Sequence, residues 1–148
     1  MRFTTDDSAF GVLVSPRPGY GLFRFQLLLN GELIGDAEPG MLGSAMARLN
    51  GLAVLDDPRL EDPTADAAAT LELLLADEDL GDPTLFAVAE SLDRWHVRAY
   101  RFADQVAFLA APVPEEDGAP LGPVSVSVVS FAEYEPIATE ARRYWRGS

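Results

Sequence analysis

His96 is the single imidazole in a chain of 148 residues that has no cysteine and no lysine. Imidazole is the side chain whose ordinary pKa lies nearest neutrality, so any general acid–base chemistry would centre on it. Ser91 and Asp93 are the adjacent candidates for a nucleophile and an orienting acid. All three lie between positions 91 and 96, in and beside one strand-like stretch, with no nucleophile-elbow pattern around the serine. That spacing does not suit a triad, whose members converge from separate elements. A surface-strand histidine is the simpler reading, and no catalytic residue is expected. The run DEDLGD at 77–82 resembles an oxygen-ligand loop. Counted from Asp77, however, the sixth residue is Asp82 rather than glycine and the twelfth is Val88 rather than glutamate. The calcium-loop pattern therefore fails. Gly19-Tyr20-Gly21 precedes a strand, and residues 41–46 (MLGSAM) lack the lysine of a phosphate loop. Without cysteine, disulfides and thiolate metal sites are excluded. No metal and no cofactor is expected.

Charge is the chemistry that remains. Of 24 acidic residues, ten fall between Asp56 and Asp82, with Arg59 alone to offset them, in a chain of formal net charge −13. Such a segment repels itself and attracts cations over roughly a Debye length, about 8 Å in physiological salt. The same charge disfavours nucleic acid and anionic membrane as direct partners. Asp56, Asp57, Glu61, Asp62, Asp77, Glu78, Asp79 and Asp82 are the candidate contact surface for a basic protein partner. A solvated, solubilising face is the plainer alternative. All eleven basic residues are arginine, which reads as the codon bias of a G+C-rich genome.

The elements that must position these residues follow from periodicity. Residues 9–14 read as a strand. Phe23, Phe25, Leu27 and Leu29 then alternate with Leu22, Arg24, Gln26 and Leu28, and Asn30-Gly31 leads into Glu32-Leu33-Ile34. Asn-Gly between two such runs signals a tight hairpin. Residues 41–50 switch to helical spacing. A second helix is expected from Asp62 as cap, with Pro63 in its first position. Asp77, Glu78 and Asp79 would then occupy its last turn, where each negative charge is unfavourable by about 0.3–1 kcal/mol. That broken rule is what points to a functional role for the acids. Residues 85–89, 95–100 and 106–110 read as strands, 112–123 as an exposed loop, and 124–128 as a strand whose serines face water. A last helix is expected to open at Pro136. Trp95 and Trp145 lie on apolar stripes and read as core. The expected fold is one α+β domain over residues 1–148: an antiparallel sheet of about six or seven strands with three helices mainly on one face. The N-terminus lacks the apolar run of a signal peptide, and no stretch reaches the length of a membrane span, so the cytoplasm is the expected location.

Asp7-Ser8-x-Phe10, the hairpin NGELIGD (30–36) and ESLDRW (90–95) together resemble the immunity protein 42 family of bacterial polymorphic toxin systems. The likeness covers roughly residues 6–110, with Asn30, Gly31, Gly35, Asp36, Asp93 and Trp95 matching the motif positions. It departs at Leu92, where the family has an aromatic, and in the acidic segment 56–66. The resemblance implies a small non-catalytic antidote that binds a cognate toxin domain, occludes it and needs no cofactor; a monomer is favoured over a dimer, and the sequence does not decide between them. An acidic inhibitor would fit a basic toxin such as a nuclease. An acidic secretion chaperone and a small ligand-binding domain are the alternatives from other classes.

Overall fold

The alternation in residues 22–29 builds the centre of a first sheet. In the computed structural model, which describes residues 1–17, 22–36, 39–86 and 89–146, β1 (Arg2–Thr4), β2 (Phe10–Arg17), β3 (Leu22–Leu29) and β4 (Glu32–Ile34) form an antiparallel meander. Register runs from Phe10 opposite Leu29 to Arg17 opposite Leu22. The expected hairpin is present. Asn30 and Gly31 take φ of 51° and 88°, the left-handed pair that matches strand twist. Phe10, Val12 and Val14 with Phe25, Leu27 and Leu29 share one fully buried face. Gly19, Tyr20 and Gly21 lie outside the described residues.

A second sheet holds β5 (Ala53–Val54), β6 (Trp95–Phe102), β7 (Gln105–Pro112) and β8 (Ser125–Ser130), antiparallel except for β5, which runs parallel to β6. It stacks on the first sheet. Val97, Ala99, Val106, Phe108, Ala110 and Val129 face the inner residues of β2 and β3 in one core. There the Phe10 and Phe108 rings stack with centroids 4.7 Å apart. The opposite face carries Tyr100, Phe102, Ala107, Leu109 and Ala111, packed on Leu60, Leu71 and Leu74. The expectation of one sheet of six or seven strands is therefore corrected to two sheets of four. Alternation tells that a strand has two faces, but not which sheet it joins. The informative stretch is β7, where Val106 to Ala111 are all buried, as a strand covered on both sides must be. The serines of β8 are a second correction. Ser127 is buried, and its hydroxyl donates to the Ala9 carbonyl of the first sheet.

Four α-helices are described, one more than expected: α1 (Gly43–Asn50), α2 (Ala67–Ala76), α3 (Glu78–Thr84) and α4 (Phe131–Arg146). α1 and α4 close the inter-sheet core with Met46, Leu49, Ile137 and Ala141, and the Tyr134 hydroxyl donates to the Leu49 carbonyl. α2 covers the outer face of the second sheet, so the helices do not share one face. α4 opens at Phe131, not Pro136. Ser130 Oγ accepts from the Glu133 backbone N–H at 3.2 Å and donates to the Glu133 carboxylate at 3.0 Å, a side-chain N-cap worth about 1 kcal/mol. α2 opens at Ala67, where the Asp66 carboxylate accepts from the Ala69 N–H. Asp62 instead accepts from the Thr64 hydroxyl in the preceding turn. The expected strand at 85–89 reduces to a single bridge between Leu85 and Arg98, with residues 87 and 88 outside the described set. Trp95 and Trp145 are partly buried against the inter-sheet core. Among the described residues no helix is long and apolar enough to cross a membrane.

Candidate functional site

The acidic segment lies on the layer that covers the outer face of the second sheet. Asp57 caps a 3-10 turn at Pro58–Leu60 and accepts from the Arg59 backbone N–H at 3.0 Å. Its other oxygen pairs with Arg59 Nη2 at 2.8 Å. Hydrogen bonds from the Arg59 guanidinium and backbone hold the Asp57 carboxyl below its usual range. Arg59 in turn is held above its own, by Asp57 first and then by the field of Asp77. Beside Asp57 opens a cleft of about 470 Å³ lined by Leu55, Asp56, Asp57, Glu61, Phe102 and Ala103. An apolar floor with carboxylates at the rim suits a long cationic side chain, whose stem lies on the floor while its head meets the acids.

Asp77 does not end a helix badly; it begins one. Its backbone is extended (φ −104°, ψ 104°), and its carboxylate accepts from the N–H groups of Asp79 and Leu80. Glu78 and Asp79 then fill the first turn of α3, where the helix dipole favours negative charge. One continuous helix was the wrong expectation, because two Asx caps divide the segment. Gly81 lets α3 fold back on α2: a Cβ there would lie 1.9 Å from the Leu74 carbonyl oxygen. Of the eight candidate acids, Asp57, Asp62 and Asp77 are thus engaged with neighbouring groups. Asp56, Glu61, Glu78, Asp79 and Asp82 are exposed. The floor residues Leu55 and Phe102 escaped the sequence reading. Phe102 shares its parity on β6 with Tyr100 and so belongs to the outer face, which is the signal that could have found it.

Ser91 and His96 are not brought together. The Ser91 hydroxyl is buried and donates to the Phe25 carbonyl on the first sheet. His96 shares strand parity with Arg98 and Tyr100 and lines a separate groove of about 470 Å³ with Glu72, Glu116 and Asp117. Burial, and secondarily the Arg98 charge, hold its imidazole below the ordinary pKa. Asp93 is exposed at the end of a 3-10 turn at Glu90–Leu92. Among the described residues no group of three or more His, Asp or Glu side chains could hold a metal ion.

The motif blocks 30–36 and 90–95, distant in sequence, are neighbours in space. The Asp36 N–H donates to the Ser91 carbonyl at 2.9 Å. Gly35 takes φ of 106°, and a Cβ there would stand 3.1 Å from Leu92 Cδ2 and 3.2 Å from the Ser91 carbonyl oxygen. Leu92 is fully buried. Asp7 accepts from the Thr5 hydroxyl and the Ala9 N–H in the β1–β2 turn, and the Ala9 bond leads in holding its carboxyl low. These residues build the scaffold.

No family model and no curated protein matches the chain. Among solved structures it is similar to CdiI from Burkholderia dolosa AUO158, with a TM-score of 0.63 at 12% identity. The match covers 97% of this chain and 99% of that one. At that identity the likeness is one of fold: an α+β architecture shared from end to end.

Proposed function

We propose that this chain is an immunity protein, a single-domain monomer of the cytoplasm that binds a cognate toxin domain and occludes it without turning anything over. The carrying observation is the end-to-end fold likeness to CdiI, an immunity protein of contact-dependent inhibition. The finer assignment to the immunity protein 42 family draws support from the two motif blocks, which pack on each other through Asp36 and Ser91. The partner is basic, a nuclease being the class that fits best, and no nucleic acid contacts the chain directly. Support for that comes from the net charge of −13 and the acid-rimmed cleft with its apolar floor. Complementary charge raises association rates by orders of magnitude over an uncharged encounter, which favours rapid capture.

On this reading the gene just upstream encodes a large secreted protein ending in a short toxin-like domain, and that domain is the test ligand. Wild type is expected to co-purify with it. A variant carrying Asp56→Lys, Glu61→Lys, Glu78→Lys and Asp79→Lys should associate about 10–100-fold more slowly at low salt, and the difference should shrink at high salt. An unchanged rate and salt slope would remove the acidic layer from the interface. Absence of binding by wild type would remove the immunity reading itself.

A further inference from the structure

Among the described residues the two sheets end in four edge strands, β1, β4, β5 and β8. The first three are short, with three, three and two residues. β8 has six, Ser125–Ser130, and holds no charged residue and no proline. Its register against β7 runs unbroken from Ser125 to Ser130. Sheets ordinarily blunt an edge by shortness, charge, proline or a bulge, and β8 has none of these.

Register also fixes which of its backbone groups are unpaired. The Phe131 N–H donates to the Asp104 carbonyl at 2.6 Å, one step beyond the pairing of Ser130 with Gln105. Bonding to a given neighbour recurs at every second residue of an antiparallel strand, so Ser125, Ser127 and Val129 bond to β7. Val126 and Val128 turn both N–H and C=O to the open side, and Ser130 turns its N–H there. Among the described residues nothing pairs with these groups. The Val126 and Val128 side chains are partly buried against the cluster that α2 covers, so the open edge borders the acidic layer. At its N-terminal end β8 meets a recess of about 570 Å³ lined by Leu33, Trp95, Pro112, Val124 and Val126, with Glu32 as the charged residue there. At its C-terminal end stands Glu133, exposed in the first turn of α4.

We propose that the open edge of β8 takes up an extended segment of the basic partner as a fifth strand of the second sheet. This rests on the reading of the chain as an immunity protein and adds a second contact to the acidic layer. A row of unpaired N–H and C=O groups fits an extended main chain, which supplies the matching row. An apolar side chain of that segment enters the recess beside Trp95 and sets its register. Basic residues flanking the segment meet Glu32 and Glu133. Acids at both ends, on a chain of net charge −13, repel a second copy and favour a cationic occupant.

Amide hydrogen exchange, read by NMR on the full chain, tests this with the toxin domain encoded upstream as the probe. In the free protein the amides of Val126, Val128 and Ser130 should exchange faster than those of Ser127 and Val129. With the toxin domain at about a hundred times its Kd, those three should slow by about a hundredfold. Val128→Pro removes an N–H that faces away from β7, a position where an edge strand tolerates proline, and should weaken binding about tenfold. A complex that forms without slowing these three amides overturns the edge and leaves the immunity reading standing. A toxin domain that does not bind wild type overturns both. Sedimentation of the chain alone supplies the remaining outcome: a dimer that protects the same amides assigns the edge to a second copy and overturns the proposal. Where Val128→Pro lowers the melting curve, exchange in the wild-type complex decides.

Discussion

Replacing Asp77 with alanine separates two accounts of the acidic segment, because they predict opposite signs. If residues 62–79 formed one helix, Asp77 would sit near its negative end, and its removal would stabilise the protein by roughly 0.3–1 kcal/mol. In the structure Asp77 caps α3, accepting from Asp79 N–H at 3.0 Å and from Leu80 N–H at 3.4 Å. Loss of that acceptor costs about 1 kcal/mol, and loss of a favourable dipole contact adds a few tenths. Asp77→Ala should therefore destabilise by about 1–2 kcal/mol. For a chain near this size each kcal/mol moves the melting temperature by about 2–4 °C, giving a drop of about 2–8 °C. Asp77→Asn keeps a capping oxygen and removes only the charge, so it should lose no more than a few tenths of a kcal/mol. Urea unfolding with a common m-value provides the measurement. An unchanged or raised midpoint for Asp77→Ala would refute the cap and restore the continuous helix.

Gly35→Ala should cost about 1–3 kcal/mol, since φ of 106° is a left-handed backbone and the new methyl would press on Leu92 and Ser91; a urea midpoint equal to wild type would contradict this. His96 is held neutral in the fold, so the unfolded chain takes up its proton first. The stability this gives is complete above pH 6.5 and is lost as pH falls toward the lowered folded value. His96→Gln should accordingly lose less stability than wild type on acidification through that window, and parallel curves would count against it.

Strands β2, β3 and β4 of the first sheet were legible because their apolar residues recur with period two and Asn30-Gly31 fixes the β3–β4 register, whereas the three residues of β1 are too few to show a period. The second sheet was not, because the residue pattern of β6 and β8 describes faces and leaves the pairing of sheets open. Ser125 and Ser127 looked wet; burial of Ser127 depends on a carbonyl at Ala9, which no local pattern reveals. In the acidic segment composition was read correctly and chain direction was not. Asp66 and Asp77 each begin a helix, and a cap is recognised by backbone geometry that a run of similar residues obscures. Hence the acids at 77–79 no longer break a rule, and their claim on function rests on exposure and on the cleft beside Asp57.

The position of α4 has a temporal consequence. Phe3 near the start of the chain and Tyr144 near its end meet with ring centroids 5.8 Å apart, and Tyr134 lies 5.3 Å from Phe10. During synthesis β1 and β2 therefore stay partly uncovered until α4 has left the ribosome. The interior between the two sheets is therefore finished only once residues 131–146 have been made, and a chain cut before Phe131 would leave Phe10 and Phe108 without their cover.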